Sequence, residues 1–194
     1  MIIALAVPAY KQQIHVQAAC AWSQDLVSAL QFGWRPVQLW TDMNSIECAR
    51  NMVVRQAESA GARLLLMMDS DTMPVQPEGG LKQMWQAMTD TESAVVGAAV
   101  PVRNGETMNC EPSRPGEIYD GVVGTAYMLI DLWKLRDLPK PWFRVELSPD
   151  GTTKAVGSDI GFCRAVQSAG HRVVVNYALP MAHVECSATA TRVA

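Results

Sequence analysis

The sequence predicts an α/β domain: a mostly parallel central sheet flanked by helices. Three recurrences predict it. Gly33-Trp34-Arg35, Gly61-Ala62-Arg63 and Gly170-His171-Arg172 each close an amphipathic stretch and open an apolar run. Glycine enters the left-handed region without a Cβ penalty, so it marks helix ends. The runs that follow, 37–40, 64–68 and 173–175, read as strands. The second and third are almost wholly apolar, as strands covered on both faces are. Helices and strands in alternation imply parallel pairing.

The elements follow in order. Residues 2–7, ended by Pro8, read as a first strand. The run is too short for a membrane span and lacks the basic lead-in of a signal peptide. Helix 14–32, strand 37–41 and helix 45–60 come next. In the last of these Ile46, Ala49, Val53 and Ala57 form the apolar stripe, with Arg50, Asn51 and Arg55 off its centre. Strand 64–68 runs into Asp69-Ser70-Asp71, and a helix over 78–89 and a strand over 94–100 follow. Residues 103–120 hold Pro, Gly, Asn and Glu without a period and read as a loop. A strand over 122–130, a short helix over 131–137 and the segment Pro141-Trp142-Phe143 lead to helix 158–169. That helix takes Ser158 or Asp159 as its start signal and carries Phe162, Val166 and Ala169 on one face.

With 194 residues, no low-complexity linker and no shift of composition, the chain reads as one domain, 1–194. A hydrophobic content of 49% belongs to an ordinary globular protein and excludes a disordered one. The net charge of −3 gives no general attraction to nucleic-acid phosphates or acidic membranes. The five cysteines are odd in number and contain no CxxC pair, which argues against a disulfide framework or a zinc site. Cys20, Cys48 and Cys163 read as small core residues. No integral membrane segment is expected, and the expected location is cytoplasmic.

The chemistry concentrates at Asp69-Ser70-Asp71. Ligands of open α/β sheets bind beyond the carboxyl ends of the strands, where this motif lies. An extended backbone would send both carboxylates to one side and Ser70 to the other. Two hard oxygen ligands suit Mg²⁺ or Mn²⁺ bridging a protein to a diphosphate. The alternative is a pair of turn residues capping the next helix, which Thr72-Met73-Pro74 permits. Further along, Asp159 opens the last helix after Gly157-Ser158, and His183 lies downstream of the last strand.

Taken in order, these motifs resemble the GT-A-fold (Rossmann-like) glycosyltransferases, particularly the family 2-like type, over nearly the whole chain. Val7-Pro8-Ala9-Tyr10 is similar to the family's first strand end, beside the nucleotide base. Ala49-Arg50-Asn51 resembles its A-R-N signature, and Leu66-Met67-Met68-Asp69-Ser70-Asp71 its strand plus D-x-D. Gly124-Thr125-Ala126 resembles the G-T-G strand start of the acceptor region, with Ala126 in place of the last Gly. Ser158-Asp159-Ile160-Gly161-Phe162-Cys163 is similar to E-D-x-x-F-C, with Ser158 where members carry Glu.

The resemblance implies a metal-dependent transferase. It moves a sugar from a nucleotide-sugar donor, UDP-linked by analogy, to an acceptor hydroxyl. The half over 1–100 binds the donor, with Pro8, Tyr10, Arg50, Asn51, Asp69 and Ser70 near the nucleotide. A divalent cation, Mn²⁺ or Mg²⁺, sits on Asp69, Asp71 and His183. The half over 101–194 holds the acceptor and the catalytic base, Asp159. Arg103, Thr125, Trp142, Phe143 and Ser158 are acceptor-side candidates. Trp142 and Phe143 read equally as a stacking wall or as buried anchors. The acceptor is a glycan, a small molecule, a protein or a modified DNA base, and a homo-oligomer is compatible. The alternatives are a sugar nucleotidyltransferase and a non-catalytic nucleotide-binding module of the same fold. The first needs a Gly-rich basic loop, whereas Pro8 to Gln13 contains no Gly and only Lys11 as a basic residue. A metal-dependent phosphohydrolase would need more ligands than three histidines supply.

Overall fold

The computed structural model describes residues 1–9, 14–43, 45–76, 78–102 and 108–184, the side chains of Ala9 and Asp42 excepted. The chain begins with β1 (Ile2–Ala9), α1 (Val16–Gln31), β2 (Arg35–Asp42), α2 (Ile46–Ser59) and β3 (Leu64–Met68). It continues through β4 (Thr72–Pro74), α3 (Leu81–Asp90) and β5 (Val95–Ala98). Four short strands follow: β6 (Cys110–Glu111), β7 (Ile118–Asp120), β8 (Val122–Val123) and β9 (Tyr127–Asp131). The last part holds β10 (Glu146–Leu147), β11 (Lys154–Val156), α4 (Ser158–Ser168), β12 (Val173–Asn176) and β13 (Met181–His183). Gly33, Gly61 and Gly170 follow α1, α2 and α4 with φ of 72°, 69° and 83°, the left-handed turn that releases each helix into a strand.

Seven strands form the central sheet in the order β2-β1-β3-β9-β5-β12-β7. β1 pairs parallel with both β2 and β3, and β5 pairs parallel with β12. β9 is inserted antiparallel between β3 and β5, and β7 closes the edge antiparallel to β12. Five strands therefore share one direction. Their carboxyl ends, together with the start of β9, meet at one edge of the sheet.

Alternation along the strands divides the core into two layers. Ile3, Leu5, Val7, Leu64, Leu66 and Met68 face α1 and α3, through Trp22, Leu81, Met84 and Met88. Ala4, Ala6, Leu65 and Met67 face α2 and α4, through Val53, Ala57, Phe162 and Val166. Two covered faces explain why β3 is apolar throughout; each of its buried Leu side chains contributes about 1.5–3 kcal/mol.

Several sequence expectations are corrected. The strand expected over 122–130 is two strands, because residues 124–126 turn at Asn109. The Gly124 amide donates to Asn109 O at 2.7 Å, and a Cβ on Gly124 would lie 2.8 Å from Asn109 Nδ2. The helix expected over 131–137 is a series of turns after β9. Asp131 Oδ1 accepts the Trp133 and Lys134 amides, and Pro139 and Pro141 prevent propagation. The loop expected over 103–120 contains β6 and β7 within its described part. Cys20 and Cys48 are exposed, on the solvent sides of α1 and α2, whereas Cys163 is buried as expected. Ala169 is likewise exposed.

Candidate active site

The Asp motif is not a continuation of β3. The strand ends at Met68, and residues 70 and 71 turn, so period-two geometry does not apply to the carboxylates. The turn is fixed by backbone: Asp69 N donates to Ala126 O at 2.9 Å and Thr72 N to Asp69 O at 3.3 Å. Thr72, buried, donates its hydroxyl to Ala126 O at 2.8 Å. Ser70 contributes its carbonyl, which accepts the His15 amide at 2.8 Å and ties the motif to the start of α1.

Thr72-Met73-Pro74 then forms β4 instead of capping a helix, and β4 pairs antiparallel with β13, His183 opposite Thr72. This pairing carries the imidazole to the motif: His183 Nε2 lies 3.0 Å from Asp71 Oδ2, and Nδ1 lies 3.3 Å from Pro101 O. Val184 N donates to Asp71 O at 2.6 Å and closes the same corner.

Arg50 joins the two halves of the site. It is a buried residue of α2, with Nη2 3.7 Å from Asp69 Oδ2 and Nη1 3.5 Å from Ser158 Oγ at the opening of α4. Its guanidinium also stands 6.0 Å from the Phe143 ring centroid, a cation–π distance. Asp69 Oδ1 and Arg50 Nε are buried without a hydrogen-bond partner among the described residues. The 26% of the Asp69 side chain that remains exposed therefore lies on Oδ2 and the methylene. Burial pushes the Asp69 carboxyl above the usual carboxylate range, opposed by Arg50 and reinforced by the charges of Asp71 and Asp159. Asp159 belongs to the same electrostatic cluster. Neither Ser158 nor Asp159 caps α4: the cap is Gly157, and Asp159 sits in the first turn with Oδ1 accepting the Ile160 amide at 3.0 Å.

Other expected residues take different places. Asn51 is engaged by Phe143 and its own helix: Nδ2 donates to Phe143 O at 2.8 Å and to Glu47 O at 2.9 Å, while Oδ1 accepts the Phe143 amide at 3.1 Å. Trp142 and Phe143 are buried anchors, with ring centroids 5.6 and 4.7 Å from that of Phe162, so neither presents a face to an acceptor. Ser158 and Thr125 are buried too, and the Thr125 hydroxyl lacks a hydrogen-bond partner among the described residues. Pro8 is buried at the end of β1, opposite Thr41 of β2. Tyr10 and Arg103 lie outside the described residues. Two surface hollows of about 380 and 390 Å³ lie elsewhere, one around Arg63 and Asp131 at the opposite ends of the strands, the other outside α2. Neither includes a charged member of the cluster.

The residue most consequential to this geometry and absent from the sequence reading is Asp25. Fully buried in the middle of α1, it accepts the Gly80 and Leu81 amides, each at 2.9 Å, and the Tyr127 hydroxyl at 2.6 Å. It thereby caps α3 and ties α1 to the strand whose start supports Asp69. An acid inside an amphipathic helix carries no local signal of such a role.

The chain has no match among protein-family models or curated proteins. It is similar to the solved structure of A197 from STIV, with a TM-score of 0.65 at 16% identity over 95% of this chain and 86% of that one. It is also similar to S. aureus TarS 1–349, with a TM-score of 0.54 at 15% identity, covering 95% of this chain and 60% of that one. The same TarS fragment in complex with UDP gives 0.55 at 13% identity, with coverages of 95% and 61%. The chain thus spans about three-fifths of the TarS fragment. The fold is GT-A-like. Its mixed α/β sheet, with mostly parallel strands and helices on both faces, is the expected one. Among the described residues no helix is long and apolar enough to cross a membrane.

Proposed function

We propose that this chain is a glycosyltransferase that moves a sugar from a UDP-linked donor to an acceptor hydroxyl, assisted by a divalent cation. The observation that carries the reading is the convergence of Asp69, Asp71, His183, Arg50 and the opening of α4 at the carboxyl edge of the sheet. That is where open α/β sheets take their ligands. The GT-A-like fold supports it, as does the similarity to TarS, whose structure contains UDP.

The residues present fit the cation. Among the described residues no three His, Cys, Asp or Glu side chains gather into a metal cage. Mg²⁺ and Mn²⁺ at diphosphate sites need no such cage: one or two carboxylates suffice, with phosphate oxygens and waters completing the shell. The buried, unpartnered Asp69 Oδ1 and the Asp71 carboxylate supply oxygens. His183 would serve through Nε2, which lies beside the Asp71 carboxylate, with the Pro101 carbonyl at Nδ1 as the outer contact of the kind that orients a ligating imidazole. Asp71 and His183 would hold the ion, with Asp69 alongside. When bound, a divalent cation supplies Lewis-acid stabilisation of charge on the departing diphosphate.

The chain's own residues do the rest. Arg50 sets a fixed positive charge between Asp69 and the start of α4. The Asp159 carboxylate takes the acceptor's hydroxyl proton. As the acceptor oxygen bonds to the anomeric carbon, the bond from that carbon to the diphosphate oxygen breaks and UDP leaves with the electron pair. The outcome is inversion.

Release of UDP from UDP-glucose, UDP-galactose and UDP-N-acetylglucosamine, with Mn²⁺ and with water as the default acceptor, tests the reading. Asp159→Asn is expected to lower turnover about 10²–10⁴-fold while the donor still binds. Near-normal turnover in that variant contradicts it. Tight nucleotide binding without turnover in wild type supports the non-catalytic module instead.

A further inference from the structure

We infer that Gly157 is a positioning residue for Asp159: the missing side chain at the cap of α4 is what lets the Asp159 carboxylate hold its orientation. The inference rests on the transferase reading above, in which Asp159 takes the acceptor's proton.

Backbone conformation does not require glycine at this position. Gly157 has φ −66° and ψ 145°, extended geometry open to any L-residue. Helix capping does not require it either: glycine caps about as well as Thr and somewhat less well than Ser, Asp or Asn, and α4 has no side-chain cap hydrogen bond. The reason lies in space. A Cβ on Gly157 would stand 2.7 Å from Asp159 Oδ1, well inside van der Waals contact. Its next neighbours, Lys154 Cε at 3.8 Å and Asp159 Cγ at 3.9 Å, are at ordinary distances.

The single obstacle is therefore the tip of a rotatable side chain. A Cβ at 157 is accommodated once the carboxylate yields. Oδ1 is the oxygen held by the Ile160 amide at 3.0 Å, so yielding breaks that contact and turns the carboxylate. With Oδ1 held by the Ile160 amide in space that the absent Cβ leaves open, Oδ2 is left to take up the proton. Proton transfer needs hydrogen-bond reach, and a displacement of about 1 Å lowers rate on the order of a hundredfold. Stability and activity then move in opposite directions in Gly157→Ser, which supplies a cap and displaces the base.

Gly161, one turn into α4, is the control. A Cβ there meets nothing closer than 3.7 Å, and it does not reach Asp159. UDP release from the three donors with Mn²⁺ is measured for wild type, Gly157→Ala, Gly157→Ser, Gly161→Ala and Asp159→Asn. The expected result is a kcat about 10–100-fold lower in both Gly157 variants, with donor KM within about twofold. Thermal midpoints fall slightly in Gly157→Ala, a poorer cap, and rise slightly in Gly157→Ser, and Gly161→Ala keeps its rate. A Gly157→Ala kcat within about twofold of wild type, in an enzyme that Asp159→Asn disables, overturns the inference and leaves the transferase reading intact. No UDP release from wild type, or full rate in Asp159→Asn, overturns both. A crystal structure of Gly157→Ser decides independently: Asp159 Oδ1 displaced from the Ile160 amide is expected, and an unmoved carboxylate overturns the inference.

Discussion

Asn51 and Phe143 are joined twice, the side-chain amide of one matching the backbone of the other with bonds of 2.8 and 3.1 Å. This pairing pins the segment carrying Trp142 and Phe143 to α2, next to Arg50. Asn51→Ala removes both bonds and leaves the Phe143 backbone groups unpaired. It is expected to lower unfolding free energy by about 2 kcal/mol while changing nucleotide affinity less than about threefold. Urea denaturation and calorimetry check the two halves. Lost nucleotide affinity at unchanged stability would return Asn51 to the donor site.

Arg50→Ala leaves Asp69 facing Asp71 and Asp159 without its guanidinium partner. The expected loss is about 1–3 kcal/mol, at the lower end for a buried pair because a quarter of the Asp69 side chain reaches solvent. Adding Asp69→Asn to Arg50→Ala should recover more than half of it, since the stranded charge is then gone. Denaturant midpoints of wild type, Arg50→Ala, Asp69→Asn and the double variant measure this coupling; simple additivity would contradict it.

Asp25 makes stability depend on pH in an unusual direction. Burial raises its carboxyl to about 6 from 3.8, opposed by the Tyr127 hydroxyl and the Leu81 and Gly80 amides. The folded state binds the proton more tightly, so this contribution is full below about pH 4 and is lost as pH rises through about 6. The difference approaches about 3 kcal/mol. Asp25→Asn keeps an oxygen for the two amides and should flatten the profile between pH 4 and 8. Asp25→Ala strands three donors and should destabilise by about 2–4 kcal/mol at every pH. Unfolding curves at pH 4, 6 and 8 decide; an unchanged slope in Asp25→Asn refutes the assignment.

Gly97 of β5 packs so tightly on Val123 that a Cβ would stand 2.2 Å from its Cγ1. Gly97→Ala is expected to destabilise by about 1–3 kcal/mol through overpacking, and Val123→Ala in the same chain should relieve part of that. Thermal midpoints check both.

What the sequence reveals follows from where the signal is local. β3, β12 and their preceding helices are legible because Gly61 and Gly170 end helices and the apolar runs are unbroken. The Asp motif is legible in composition and misread in shape, because a turn and a strand differ only in backbone angles. β4 and β13 are three residues each, too short for a period, so it is the family resemblance and no local pattern that brings His183 to Asp71 before the fold is known. Asn51 and Trp142 are similar cases: both carry polar groups suited to ligands, and both are taken up by the protein's own backbone. For Trp142 this is the bond from Nε1 to Leu138 O at 3.1 Å.

Binding of UDP and GDP measured by calorimetry, with and without Mn²⁺, in wild type and Asp71→Ala, tests the central claim most directly. The account predicts Mn²⁺-dependent binding of UDP by wild type and its loss in Asp71→Ala. Binding of neither nucleotide under any metal condition, or UDP binding indifferent to Mn²⁺ and to Asp71, would contradict it.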